Sequence, residues 1–576
     1  MTLVVSTSEA TKLLNSEATK LLTIHRLSNS PIKHSKMKHL SITLLAAAAI
    51  MCGCNGQKSA STETGFTNPM IWADVPDMSM MRVGDTYYMS STTMHMNPGV
   101  PIMKSKDLSN WQIAGYAYET LGDQDETMLL NGKNTYGKGS WASCIRYVGG
   151  KFFVSTFDQV TGKTYFFTTD NIENGTWERH EFRPSHHDHT IVFEEDGHIY
   201  MINGGGKIFI REVEPDFSGI KPESEKVLIE NAGLPAGENL MLGAEGSQMF
   251  KINGKYYLFN ICWPRGGVRT VICHRADSLF GPYEGRVVLQ DKGVAQGGLI
   301  DTPDGRWFAY LFGDRGAVGR IPYLVPVVWE DGWPVLGVDG KVPETLDLPA
   351  NGSLIPGIVD SDEFDGDQPK IVWQWNHNPV NSLWTMSERK GFIRFRTDRT
   401  DTLFTQSRNM LTQRTIGPKC SGSACLDASN LKDGDVAGLA LLAGKFGFVA
   451  IQNDGDKKSI VMVNNQPEAN GGGAPWPPRR GVQHVVASVP VDATTVYFKA
   501  DCDFSRIADE SAIGSHGVDK AVFHYSLDGK QWNQIGDTLP MSYSLDHFMG
   551  QRYALFFYST KEPGGYADFD WFRISE

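Results

Sequence analysis

A glycine turn followed by an aromatic, alternating run recurs five times: RVGDTYYMSST from 82, YVGGKFFVSTF from 147, EEDGHIYMING from 194, KINGKYYLFNI from 251 and TPDGRWFAYLF from 302. Each reads as a β-hairpin, because glycine accepts the positive φ of a tight turn and the alternation gives the following strand one core-facing side. Companion segments, KSKDLSNWQ, TTDNIENGTWE and RADSLFGPYE, follow several of the units. Repeats at roughly 50 to 65 residues predict five four-stranded blades of a β-propeller, whose radial closure protects the strand edges. A sandwich built of repetitive hairpins is the alternative. The repeat stops after VPVVWEDGWPVLG, and the turn-rich VDGKVPETLDLPANGSLIPG reads as a linker over 339–358. Beyond it no blade unit recurs, and GFIRFRT, VAGLALLAG, FGFVAIQN and SIVMVNN suit a β-sandwich. Long amphipathic helices are nearly absent. The fold class is all-β: a five-bladed propeller over 66–338 and a sandwich over 359–576.

Charge narrows the partners. Lys and Arg number 54 against 66 Asp and Glu, a net charge of -12, which argues against nucleic acid because phosphate binding needs a basic face. Neutral ligands remain open. At the N-terminus, Met37-Lys38-His39 precedes LSITLLAAAAIMCGC. This apolar run is shorter than the about 20 residues of a membrane span and has signal-peptide form. Its Gly53-Cys54 end predicts a bacterial lipoprotein signal over 37–53 with Cys54 lipidated, a tether over 54–65, and an upstream extension over 1–36. The chain is thus expected in the bacterial cell envelope, lipid-anchored, on the periplasmic side or outer surface, touching membrane only through that anchor. The cysteines form no zinc pattern; Cys144, Cys262 and Cys273 lie in strand-like runs, whereas Cys420 and Cys425 flank SGSA and are placed to close a loop disulfide.

NPMIWADVPDMSMMRVGDTYYM, LGAEGSQMFKINGKYYLF and GAVGRIPYLVPVVWEDGWPV resemble glycoside hydrolase family 43, whose catalytic domain is a five-bladed propeller. WNHNPVNSLWTM, RNMLTQRTIGP and DGDVAGLAL resemble the concanavalin-like (jelly-roll) C-terminal domain of its β-xylosidases, so the likeness runs from residue 66 onward. The resemblance implies an inverting glycosidase acting on oligosaccharide or polysaccharide, with no cofactor required for catalysis and no protein partner evident. Inversion needs a general acid on the leaving oxygen and a base on water across the ring, about 6.5–9.5 Å apart. By the family pattern Asp77 is the base, Glu245 the acid and Asp188, in SHHDHTIVFEEDG, a carboxylate that orients the acid and tunes its proton affinity. Asp74 is read as a turn or capping carboxylate. Trp141 is expected to stack on the sugar and Arg320 to contact its hydroxyls, although a structural ion pair competes for Arg320.

His186, His187 and His189 invite a metal reading. Strand alternation speaks against it, since His187 and His189 would face away from His186 and Asp188. Many family members carry a His beside a central calcium where this chain has Ala295 and Gln296; Gln296 is taken as a substrate contact. Met94, His95 and Met96 are expected at the pocket rim, with His95 touching substrate. That softer rim leans the specificity toward terminal non-reducing α-L-arabinofuranose on arabinoxylan or xyloglucan, with β-D-xylosidase or dual activity as the alternative. A structural Ca2+ is sketched at Glu363 and Asp365 with Asp568 or Asp570, because hard cations take oxygen ligands. Rival classes are a non-catalytic carbohydrate-binding protein, which would lack a carboxylate, and a retaining five-bladed hydrolase, with carboxyls about 5–5.5 Å apart.

Overall fold

Five four-stranded antiparallel sheets stand around one axis in the computed structural model, which describes residues 65–465, 482–505 and 519–576. The expected upstream extension, signal peptide, lipidated Cys54 and tether up to residue 64 lie outside the described residues. The blades' first strands are Ser79–Val83, Ser140–Val148, Thr190–Phe193, Leu240–Ile252 and Ala295–Asp301. They pack side by side, and the ring closes where the fifth meets the first. The repeat is the hairpin of strands one and two in every blade: Gly84, Gly149, Gly150, Gly197, Gly254 and Gly305 occupy those turns, all at positive φ. The three companion segments each join strands three and four of their blade.

One buried side chain ties the ring. Arg146, on the first strand of blade two, donates to Ile191 O at 3.1 Å, Thr190 Oγ1 at 2.7 Å and Ser79 Oγ at 3.5 Å, and reaches Met249 O at 3.4 Å. Its guanidinium therefore touches blades one, three and four, and occupies backbone oxygens that would otherwise be buried without a donor.

The second lobe is a sandwich of two eight-stranded sheets. The runs read as strands fall on Ile393–Arg396, Asp435–Leu442, Gly447–Asp454 and Lys457–Asn464. The stretch read as a linker is tied to the propeller's start. Thr345–Leu346 pairs with Phe66–Thr67, and the Asn68 amide donates to Leu324 O and Pro343 O, both at 2.8 Å. Moreover, Met96–Asn97, from the loop between strands two and three of blade one, adds to the sandwich edge strand Gln374–Asn376, with Trp375 opposite Asn97. Strands from both sides of the junction thus share a sheet, and Gly65–Glu576 forms one unit.

Two expectations fail here. Cys420 and Cys425 lie on one extended strand, Lys419–Asp427, and both are free and buried. An odd offset sends them to opposite faces, so they cannot bond to each other; Cys420 sits 3.2 Å from Tyr553 Oη. The sketched calcium cage does not form either. Glu363 pairs with Arg573 at 2.8 Å, and buried Asp568 takes Arg394 at 2.6 Å and Arg389 at 2.9 Å. Carboxylates already paired with guanidinium groups have little charge left to attract a cation, and no ligand cluster gathers there among the described residues.

Candidate active site

The first strands of the blades are irregular at one end, and the irregularities carry the candidate residues. Pairing slips between Ser140 and Ser143 around Trp141, across Leu240 to Gln248 around Glu245, and between Ala295 and Gly297 at Gln296. A bulge re-aims the side chain it carries. Asp77, Asp188 and Gln296 also hold φ of 51°, 47° and 54°. Non-glycine residues tolerate that region only when surroundings enforce it, which is common at functional sites.

Asp77 is buried and doubly held: Thr92 Oγ1 donates to Oδ2 at 2.6 Å, and Arg320 Nη1 to Oδ1 at 2.9 Å. Arg320 is itself buried under Phe548, its Cζ 4.8 Å from that ring's centre. Its Nε and Nη2 have no protein partner. The ion pair and the open donors coexist in one side chain. Asp74 is the capping carboxylate, accepting Arg320 N at 2.7 Å and Gly550 N, from the sandwich, at 3.0 Å.

Glu245 projects from its bulge in blade four, where Asn260 Nδ2 donates to its carbonyl at 3.2 Å and to Ser247 Oγ at 3.0 Å. Gly246 follows at φ 65°, and a Cβ there would stand 2.8 Å from the Gln296 side chain, so Gln296 lies directly against this bulge. From blade three come His187 and Asp188. His187 Nε2 is 3.5 Å from Asp188 Oδ2 and 3.7 Å from Glu245 Oε2. Burial, with the charges of Glu245 and Asp77, pushes the Asp188 carboxyl up to about 7 against the pull of His187 and Arg320. Burial drags the His187 imidazole down, but Asp188, Glu245 and Asp77 outweigh it and raise it to about 9.

The histidine stretch is not a strand where alternation was applied. Residues 187–188 form a turn, and the strand begins at Thr190. His187 therefore joins Asp188, while His189 bonds the His186 carbonyl at 2.8 Å and Ser155 Oγ at 2.9 Å, and His186 meets Thr164 Oγ1 at 3.0 Å. The three imidazoles go to different partners and do not converge on one point.

The rim expectation is overturned as well. Met94 and Met96 are buried among Phe404, Phe446, Phe448 and Phe556 of the sandwich, each such burial being worth about 1.5–3 kcal/mol. His95 is buried against Tyr136, His377 and His547, with ring centres 4.8 to 5.0 Å away. It belongs to the seam between the lobes, not to an open rim. The wall beside Trp141 comes instead from the sandwich: Phe548, at φ 58°, lies 4.6 Å from the Trp141 ring, with Tyr543 6.0 Å from Phe548. Thr92, Tyr543 and Phe548 escaped the sequence reading, and His187 was set on the face away from Asp188 by the strand alternation, whereas the turn brings the two together.

This geometry has known counterparts. Residues 66–334 match Glycosyl hydrolases family 43, and residues 361–575 match the Beta xylosidase C-terminal Concanavalin A-like domain. The chain belongs to glycosyl hydrolase family 43. It is a glycosidase. A solved family 43 structure, described as a bifunctional GH43-CE of Bacteroides eggerthii, is 60% identical with a TM-score of 0.84, over 89% of this chain and 64% of that one. The present chain thus spans just under two thirds of that relative. A β-xylosidase of Formosa agariphila is 27% identical over 88% of this chain and 90% of its own. A non-reducing end α-L-arabinofuranosidase of Bacteroides ovatus is 25% identical over 69% and 78%.

Proposed function

We propose that this family 43 chain is an exo-acting, inverting hydrolase of terminal pentosides, with β-D-xylosides as its first substrates and α-L-arabinofuranosides of arabinoxylan or xyloglucan side chains as the second reading. The observation that carries it is the meeting of carboxyls from blades one, three and four at one end of the ring, beside a wall supplied by the sandwich. Asp77 takes a proton from water as that water attacks the anomeric carbon. Glu245 gives its proton to the leaving oxygen as the glycosidic bond breaks. Asp188 orients Glu245 and holds the local proton balance. The unpartnered Nε and Nη2 of Arg320 suit sugar hydroxyls, Trp141 and Phe548 suit an apolar sugar face, and Gln296 lies within reach of the same space. Closure by Phe548 favours a chain end over an internal linkage. The order of the two sugars follows from the burial of Met94 and Met96, which removes the reason for ranking arabinofuranose first, and from relatives named β-xylosidase. Export as an envelope lipoprotein anchored at Cys54 accompanies this proposal and rests on the N-terminal sequence alone.

Aryl β-D-xyloside and aryl α-L-arabinofuranoside, followed by NMR of the first-formed anomer, test the reading. Inverted product is expected, with xyloside turned over faster. Glu245→Gln should cost about 10²–10⁴-fold on poor leaving groups and less on good ones, and Asp77→Asn should cost both alike. Retained configuration, or near-normal turnover by Asp77→Asn, overturns it.

A further inference from the structure

His187 has no part in the scheme above, yet it is the group nearest to both Asp188 and Glu245. The three offer ligand atoms all within 4.8 Å of one another. The imidazole is held by rings, with Phe157 at 5.2 Å and Trp141 at 6.1 Å, both edge-on, and its side chain keeps 43% exposure. Its two carboxylate distances are long for hydrogen bonds and short for charge contact. The titratable groups around it are Asp188 on its own turn, Glu245 from blade four and Asp77 from blade one, with Arg320 of blade five acting on Asp188; the packed faces of Trp141 and Phe157 do not titrate. Neighbouring His189 is held down near 4 by burial and His186 likewise, so neither supplies a competing charge at neutral pH.

We infer that His187 is a positioning residue: it holds a positive charge between Asp188 and Glu245 and so sets the upper pH at which the glycosidase still has a protonated acid. Two carboxyls this close repel when both are charged, and a cation between them offsets that repulsion and keeps the acid ready to release its proton to the leaving oxygen. The ring's exposure also gives it contact with solvent, from which the acid is recharged after each turnover. The inference rests on Glu245 being the acid.

The pH profile of kcat/KM for His187→Phe and His187→Gln, on a poor leaving group, tests it. Loss of the charge should move the alkaline limb upward by about one pH unit or more, with His187→Lys returning it toward the wild-type position even where kcat stays low. A merely structural role would lower the whole profile without moving the limb. Limbs of His187→Phe and His187→Gln that superimpose on wild type overturn the inference. Glu245→Gln separates the two claims: its alkaline limb should vanish. If that limb persists, the acid assignment has failed; if it vanishes while His187→Phe leaves the wild-type limb in place, only the role of His187 has failed. Circular dichroism of each variant confirms folding.

Discussion

At the scale of single residues, the site stores charge at the expense of stability. Asp188 moves from its ordinary 3.8 to about 7, and His187 from 6.5 to about 9. Both bind protons more tightly folded than unfolded. The stability they contribute is therefore complete below their unfolded values and is lost as pH rises, between about 4 and 7 for Asp188 and between about 6.5 and 9 for His187. Asp188→Asn cannot titrate. Its melting temperature relative to wild type should be higher at pH 8 than at pH 4.5, by about 2–4 °C or more, while activity falls; an unchanged difference across that range rejects the account. The positions of Asp77, Asp188 and Glu245 were legible because long family motifs surround them. His187 was not, because period-two reasoning applied to SHHDHT presumes a strand, and a turn with Asp188 at φ 47° stands there.

At the scale of elements, the first strands of three blades slip in register where they present side chains to the site, while further slips between third and fourth strands lie away from it. Each hairpin was readable from its glycine, since the turn's positive φ is a local demand. The bulges at Trp141, Glu245 and Gln296 were not, because a slip in pairing depends on the neighbouring strand. Arg146 shows the cost of holding such a ring together: one buried guanidinium serves three other blades. Arg146→Met preserves much of the volume but strands the Ile191 and Met249 carbonyls. It should destabilise by about 1–3 kcal/mol, read as a lower midpoint in urea with an unchanged slope. A midpoint within error of wild type would show that the ring closes without it.

At the scale of the whole molecule, the sandwich is part of the catalytic unit. It supplies Phe548 to the pocket and Gly550 to Asp74, and it takes Met96–Asn97 into its sheet. Calorimetry of the protein should therefore show one cooperative transition, and two separated ones would contradict the shared sheet. Phe548→Ala removes an aromatic wall, worth about 0.5–1.5 kcal/mol beyond burial, so kcat/KM should drop by roughly tenfold. Unaltered kcat/KM on both aryl pentosides would place the sugar elsewhere.

The sequence by itself determined the all-β class, the five blades, the start of the sandwich strands and three carboxyls, because hairpin turns, alternation and long motifs are local. The tertiary structure alone decided what those carboxyls face. Met94 and Met96 became core instead of rim, Cys420 and Cys425 were parted by one strand, Glu363 and Asp568 were taken by arginines, and Phe548 arrived from more than four hundred residues away in sequence from Asp77. For the methionines, the carboxylates and Phe548 the deciding partner lies on another strand or the other lobe, and for the cysteines it is the extended strand that carries both; the energy of burial or ion pairing that selects such partners exists only once strands distant in sequence have packed.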